Sequence, residues 1–141
     1  MDTKKFLTGT LVGGIAYFFL GYLIYGMALA DFMATHAGTA TGVQKSMEEM
    51  VWWALIVSNL SWAALMTYIF LKWANISSFG GGASAAAIIG FLMTLGMDLL
   101  MFATSNVIDM TGMIADVAAA TVMHAVVGGA IGAVLGMGSK S

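Results

Sequence analysis

Three ionisable side chains interrupt otherwise apolar runs. Asp98 stands in "LMTLGMDLLMFATSN", and Asp116 and His124 stand in "IADVAAATVMHAVVGGAIG". A carboxyl and an imidazole can pass a proton between them near neutral pH when the surroundings are apolar. Asn59, in "VSNLSW", and Tyr22 and Tyr25, in "GYLIYG", add neutral hydrogen-bonding groups of the kind that could complete a polar layer. Other chemistries find little support. No serine nucleophile motif is visible. "FGGGAS" lacks the lysine of a phosphate-binding loop. Cysteine is absent, which excludes disulfides, thiolate metal sites and thiol redox chemistry. Bis-histidine haem ligation would need a second histidine inside an apolar run, and none is there. Asp31, His36, Glu48 and Glu49 fall between the runs without metal-ligand spacing, so they read as a solvated acidic surface. We therefore expect no catalytic set, no cofactor and no metal.

The elements that would carry these groups are long and apolar. Hydrophobic residues make up 60% of the 141-residue chain and charged residues 9%, against about 25% charged in a soluble domain. Four blocks reach the roughly 20 residues that a membrane-crossing helix needs. They are 6–30, 50–71, 83–104 and 114–137, separated by polar, charged or glycine-rich stretches. Helices suit such blocks because each satisfies its own backbone in lipid. The first block, preceded by Lys4 and Lys5 and ending Ala28-Leu29-Ala30, imitates a secretory signal. Its apolar run is longer than a signal core, so a retained first helix is expected. The expected fold is all-α: a single four-span membrane domain, an integral four-helix bundle.

Charge sets the expected orientation. Lys4, Lys5, Lys72 and Lys140 fall on one side of a four-span arrangement. The other side holds Lys45 against Asp31, Glu48, Glu49, Asp109 and Asp116. The positive-inside rule then places both termini in the cytoplasm. Trp52 and Trp53 would mark the outer interface, and Tyr68 and Trp73 the inner one. There is no arginine, and the net charge of −2 offers no basic surface for nucleic acid.

Small residues suggest where helices touch. Gly9 and Gly13 are four apart, Gly128, Gly132 and Gly136 repeat that spacing, and Ala86 and Gly90 continue it on the third span. Such spacing lets backbones approach closely, either within the bundle or between copies. His124 shares a face with Gly128 and is expected to point inward. At about 1.5 Å per residue, Asp98 lies roughly 9 Å below the outer end of its span and His124 roughly 15 Å down. Tyr25 lies roughly 8 Å down, with Tyr22 one turn deeper, and Asp116 only just inside. The thirteen methionines read as adaptable packing residues.

With these residues in view, the chain resembles an uncharacterised family of small bacterial four-helix inner-membrane proteins. The resemblance rests on Tyr25 and Gly26 in "GYLIYGMALADFM" and on His124 and the glycines in "TVMHAVVGGAIGAVLG". The proline and tryptophan of the family's first motif are missing, and Met123 stands where tyrosine is usual. The resemblance implies four helices and a bacterial inner-membrane location, and no activity. The expected function is that of a non-enzymatic membrane protein acting as a homo-oligomer or as an accessory subunit of a larger complex. The alternative is a small proton-linked transporter or channel using Asp98 and His124. The expected partners are the lipid bilayer and other membrane subunits, not nucleic acid. What separates the two is whether Asp98, Asn59 and His124 line one cavity or pack dry.

Overall fold

A computed structural model describes residues 2–137. All of its regular structure is helical. α1 spans Thr3–Gly21 and continues as a π-helical segment, Tyr22–Ala28. A short α2 follows at Ala30–Thr35. α3 spans Trp52–Ile69 and ends in a second π-helical segment, Phe70–Ala74. α4 spans Phe79–Thr104 and α5 Met110–Gly136. Four of these helical stretches are long and apolar enough to cross a membrane: Thr3–Ala28, Trp52–Ala74, Phe79–Thr104 and Met110–Gly136. At 26 residues, α4 is about 39 Å long, longer than a hydrocarbon core of about 30 Å.

Helix boundaries follow local chemistry that hydropathy does not register. Asp2 caps α1 by accepting from the Lys4 and Lys5 amides. Ser78 caps α4 by accepting from Gly81 N–H, and Asp109 caps α5 by accepting from Gly112 N–H. Gly80, Gly81 and Gly82, expected to form part of a break, therefore lie inside the first turn of α4. The turn before them is made by Asn75, held in the left-handed region at φ 49°. Asparagine tolerates that conformation better than most residues.

The four long helices stand in a row, α4–α5–α1–α3. α5 packs along α4 and along α1, and α1 packs along α3. α3 meets α5 only slightly, and α3 and α4 make no extensive contact. The four-helix arrangement is thus open on its α3–α4 side. It has two ends: a terminal end, with the start of α1, the close of α5 and the α3–α4 turn, and a loop end, with residues 29–51 and 105–109.

The core lies toward the terminal end. Met66, Phe70, Val127 and Ile131 have no exposed surface, and Leu135, Ala63 and Ala86 pack with them. Glycine makes this possible. A Cβ at Gly13 would run into Ile131 and Ala63, one at Gly9 into Thr67, and one at Gly14 into Leu60. On the other side of α5, Gly128 faces Ala86 and Gly82, Gly132 faces Gly82 and the Ser78 carbonyl, and Gly136 faces the Ser77 carbonyl. Every one of the small residues that sequence spacing singled out, Gly9, Gly13, Gly90, Gly128, Gly132 and Gly136, sits at a contact within the chain. In helices that cross a membrane, apolar side chains gain little by leaving lipid for each other, and close backbone approach of this kind supplies attraction instead.

Candidate functional site: the cleft between α3 and α4

Because α3 and α4 stand apart, a cleft of about 640 Å³ opens between them, floored by α5 and by Tyr17 of α1. Its polar lining is Ser58 and Asn59 from α3, Thr94 and Asp98 from α4, Asp116 and His124 from α5, and Tyr17. The rest is apolar or aromatic: Trp62, Leu92, Met93, Met97, Leu100 and Met123. Asp98, Asp116, His124 and Asn59, which lie on three different helices, therefore share one cavity.

His124 sits at the cleft's deep end. It is 8% exposed. Its Nδ1 lies 2.7 Å from the Ala120 carbonyl. A carbonyl only accepts, so Nδ1 carries the hydrogen and Nε2 of the neutral ring is left as an acceptor. The ring stands edge-on to Tyr17, with centroids 5.4 Å apart, and to Trp62, at 6.5 Å. Gly90 makes room for it: a Cβ there would overlap Cβ, Cγ and Nδ1 of His124.

Asp98 has a neighbour that hydropathy did not suggest. Its carboxyl lies beside that of Asp116, close enough for the two to share a hydrogen. The Tyr25 hydroxyl lies beside Asp116 as well. Asn59, one of the groups expected in the polar layer, donates from Nδ2 to the Leu55 carbonyl of its own helix at 2.9 Å. Asp116, expected near the surface of the loop end, belongs with Asp98. Tyr22, half exposed, lines a cavity of about 450 Å³ between α1 and α3, and Tyr25 lines it too.

Two polar atoms around the cleft are buried without a partner: the Tyr17 hydroxyl and Asp98 Oδ2. Tyr17 is 2% exposed. Most buried polar groups in proteins are hydrogen-bonded, so unpaired ones call for a reason. The cavities also adjoin one another. Tyr17, Asn59 and Met123 line both the cleft and the α1–α3 cavity. Asp116 lines both the cleft and a cavity of about 390 Å³ under the loop end, which Tyr25 also lines.

Past His124 toward the terminal end, Val127, Ile131, Leu135 and Phe70 pack together in the core.

His36, read from sequence as part of a solvated surface, is instead a clasp at the loop end. Its Nδ1 lies 2.7 Å from Asp109 Oδ2, and its carbonyl accepts from Asp109 N–H at 3.0 Å. Ala40 N–H donates to the Asn106 carbonyl at 2.9 Å beside it. Gly38, at φ 66°, turns the chain where a Cβ would meet that same carbonyl. Among the described residues, no cluster of three or more His, Asp or Glu could hold a metal ion.

Comparison with known proteins finds no matching family model, no similar curated protein and no similar solved structure.

Proposed function

We propose that the chain is a non-enzymatic, multi-pass protein of the bacterial cytoplasmic membrane that moves protons, alone or with a small solute, through the cleft between α3 and α4. One observation carries this: Asp98, Asp116 and His124, from two helices, converge on a single cavity with unpaired buried polar atoms. Acids inside membrane-spanning helices face an interior or a wet cavity and commonly mark an ion or proton pathway. Histidine is the side chain best suited to relay a proton near neutral pH. Tyr25 and Asp116 would lead from the loop-end cavity to Asp98, and His124 would be the last proton-bearing group before the sealed half. Movement across the membrane would then require Val127, Ile131 and Phe70 to separate, an alternation between the present arrangement and a second one.

The orientation rests on lysine placement. Lys4, Lys5 and Lys72 cluster at the terminal end, while the loop end holds Lys45 among four acids, Asp31, Glu48, Glu49 and Asp109. That bias supports an orientation with both termini in the cytoplasm. Lys140 lies outside the described residues. The exposed Trp52 and Trp53 at one end, and Tyr68 against Trp73 at the other, suit two interfacial belts. Kinship with the uncharacterised four-helix family rests on Tyr25, Gly26 and His124.

The test is proton flux in proteoliposomes, followed with an enclosed pH dye. Asp98→Asn should reduce it at least about tenfold, as expected for loss of an acid in the proton path, and His124→Ala should also lower it. Unchanged flux in both folded variants would defeat the proposal.

A specific observation favours a second reading, an accessory subunit or homo-oligomer. α4 packs extensively only on α5, and Ile88, Leu92, Met97 and Leu100 of α4 remain exposed. A partner helix could close the array between α3 and α4. Extraction in native lipid that yields only monomers would count against this reading.

A further inference from the structure

The lining of the cleft specifies a class of ligand. Two carboxyls, Asp98 and Asp116, share it with no lysine. Among the described residues the sole basic group on its wall is His124, whose Nδ1 hydrogen is already committed to Ala120. No charged group from α1 or α3 faces the pair; those helices contribute Tyr17, Ser58 and Asn59, and the π-helical segment contributes Tyr25. Two carboxylates in contact repel each other, so the pair is stable with a proton between the two or with a cation beside them.

Size and surface decide which cation. At about 640 Å³ the cleft has room for roughly twenty water molecules at about 30 Å³ each, which lies within the range of small-molecule sites. A bare metal ion would use one corner of it and find no third acidic or imidazole ligand. The remaining lining, with Trp62, Leu92, Met97 and Met123, suits an apolar body. The Trp62 ring, partly exposed, suits a positive charge near its face. The Tyr17 hydroxyl and Asp98 Oδ2, both buried and unpartnered, are acceptors available to an ammonium N–H.

We infer that the cleft binds an amphipathic organic ammonium ion, an amine with an aromatic or branched apolar body, and exchanges it for the proton shared by Asp98 and Asp116. The inference rests on the transport reading and names its solute. The step balances in charge. Before binding, the pair holds one proton and one negative charge. On binding, that proton leaves for water, and the ammonium sits against two carboxylates. No bond within the amine changes. The Tyr17 oxygen accepts one ammonium N–H, and the apolar body lies along α4.

The experiment is calorimetric titration of the full chain in lipid nanodiscs with 2-(1-naphthyl)ethylammonium, after subtraction of binding to empty discs. The uncharged 2-(1-naphthyl)ethanol is the matched control. The amine should bind one per chain, at least about tenfold tighter than the alcohol, a difference expected when a charged group finds its buried counter-charge. Titration in two buffers of different ionisation heat should show one proton released per amine. By linkage, affinity should then rise about tenfold per pH unit while the pair still holds its proton. Asp98→Asn and Asp116→Asn should each weaken binding at least about tenfold and abolish the release. Tyr17→Phe, which keeps the ring, should weaken it several-fold and serves if the Asp variants do not fold. Equal binding of the alcohol, binding without proton release, or wild-type affinity in folded Asp98→Asn overturns the inference. If proton flux persists in proteoliposomes while the amine does not bind, this inference fails alone; if flux is also insensitive to Asp98, the transport reading fails with it.

Discussion

Along one half of their length α4 and α5 touch backbone to backbone; along the other half the same two helices hold two carboxyls beside an open cleft. The antiparallel register is constant throughout. Gly82 faces Gly132, Ala86 faces Gly128 and Gly90 faces His124, and two turns beyond, Asp98 meets Asp116. The difference lies in what occupies the facing positions. Where both are small, the helices close and exclude everything else. Where His124 enters, the interface has to admit a ring, and α3 no longer seals the third side. The comparison breaks most clearly at Gly128, whose added Cβ would strike Ala86 and Gly82 together. Gly128→Leu should cost about 3 kcal/mol or more, the upper end for overpacking a close contact. Gly96→Leu, on the cleft side of α4 with nothing within 4 Å of a Cβ, should stay within about 0.5 kcal/mol of wild type. Reversible unfolding in mixed micelles measures both. Equal losses would mean that the two halves are not differently packed.

The boundary between the halves is Gly90 against His124. A methyl group at Gly90 overlaps the imidazole, so Gly90→Ala should cost about 1–3 kcal/mol, the usual range for overpacking. The cost should arise from the ring alone. In the double variant Gly90→Ala/His124→Ala, the alanine at 90 should cost little, giving a coupling energy of about 1 kcal/mol or more. Strict additivity in the cycle would show that Gly90 is constrained by something other than the ring.

Much of this arrangement was legible in sequence. Apolar block length gave four long helices, and four-residue spacing marked the glycines that meet other helices. Register between helices was harder, because it is a property of two segments at once. Yet the information was present: aligning Gly82, Ala86 and Gly90 antiparallel with Gly132, Gly128 and His124 carries Asp98 onto Asp116. Treating the spans singly by depth missed that pairing. The π-helical turn at Tyr22–Ala28 could not be read, since hydropathy does not distinguish it from an α-helical one. Nor could the open side: hydropathy reports that α3 and α4 are apolar, and an apolar helix gains little in lipid by closing a ring.

Orphaned hydroxyls sharpen the contrast further. Thr67, with no exposed surface, belongs to the sealed half, and its Oγ1 has no partner. Tyr17, on the cleft, carries the same defect. Removing an unpaired buried hydroxyl while keeping shape recovers part of its desolvation cost. Thr67→Val should therefore stabilise the chain by up to about 1 kcal/mol and leave proton flux untouched. Tyr17→Phe should be similarly neutral or stabilising and yet lower flux. A loss of stability above about 1 kcal/mol in Thr67→Val would reveal a partner for that hydroxyl.

The smallest effect lies at the loop end, where charge rather than packing holds the chain. The Gly112 backbone N–H, and after it the His36 side chain, hold the Asp109 carboxyl below its ordinary value. A carboxyl whose value is lower in the folded state stabilises the fold above the ordinary range of about 3.9 and loses that contribution as pH falls through the folded value. The wild-type unfolding midpoint should therefore decline on acidification below about pH 4. Asp109→Asn keeps a good helix cap but removes the charge, so its midpoint should show a shallower decline over the same range. The effect should be modest and should shrink with added salt, because the pair is partly exposed, at 25% and 43% of the two side chains. Identical acid limbs for the two proteins would mean that the His36–Asp109 contact positions the loop without stabilising it, leaving Ala40 N–H to Asn106 and Asp109 N–H to His36 as the bonds that tie residues 36–40 to the start of α5.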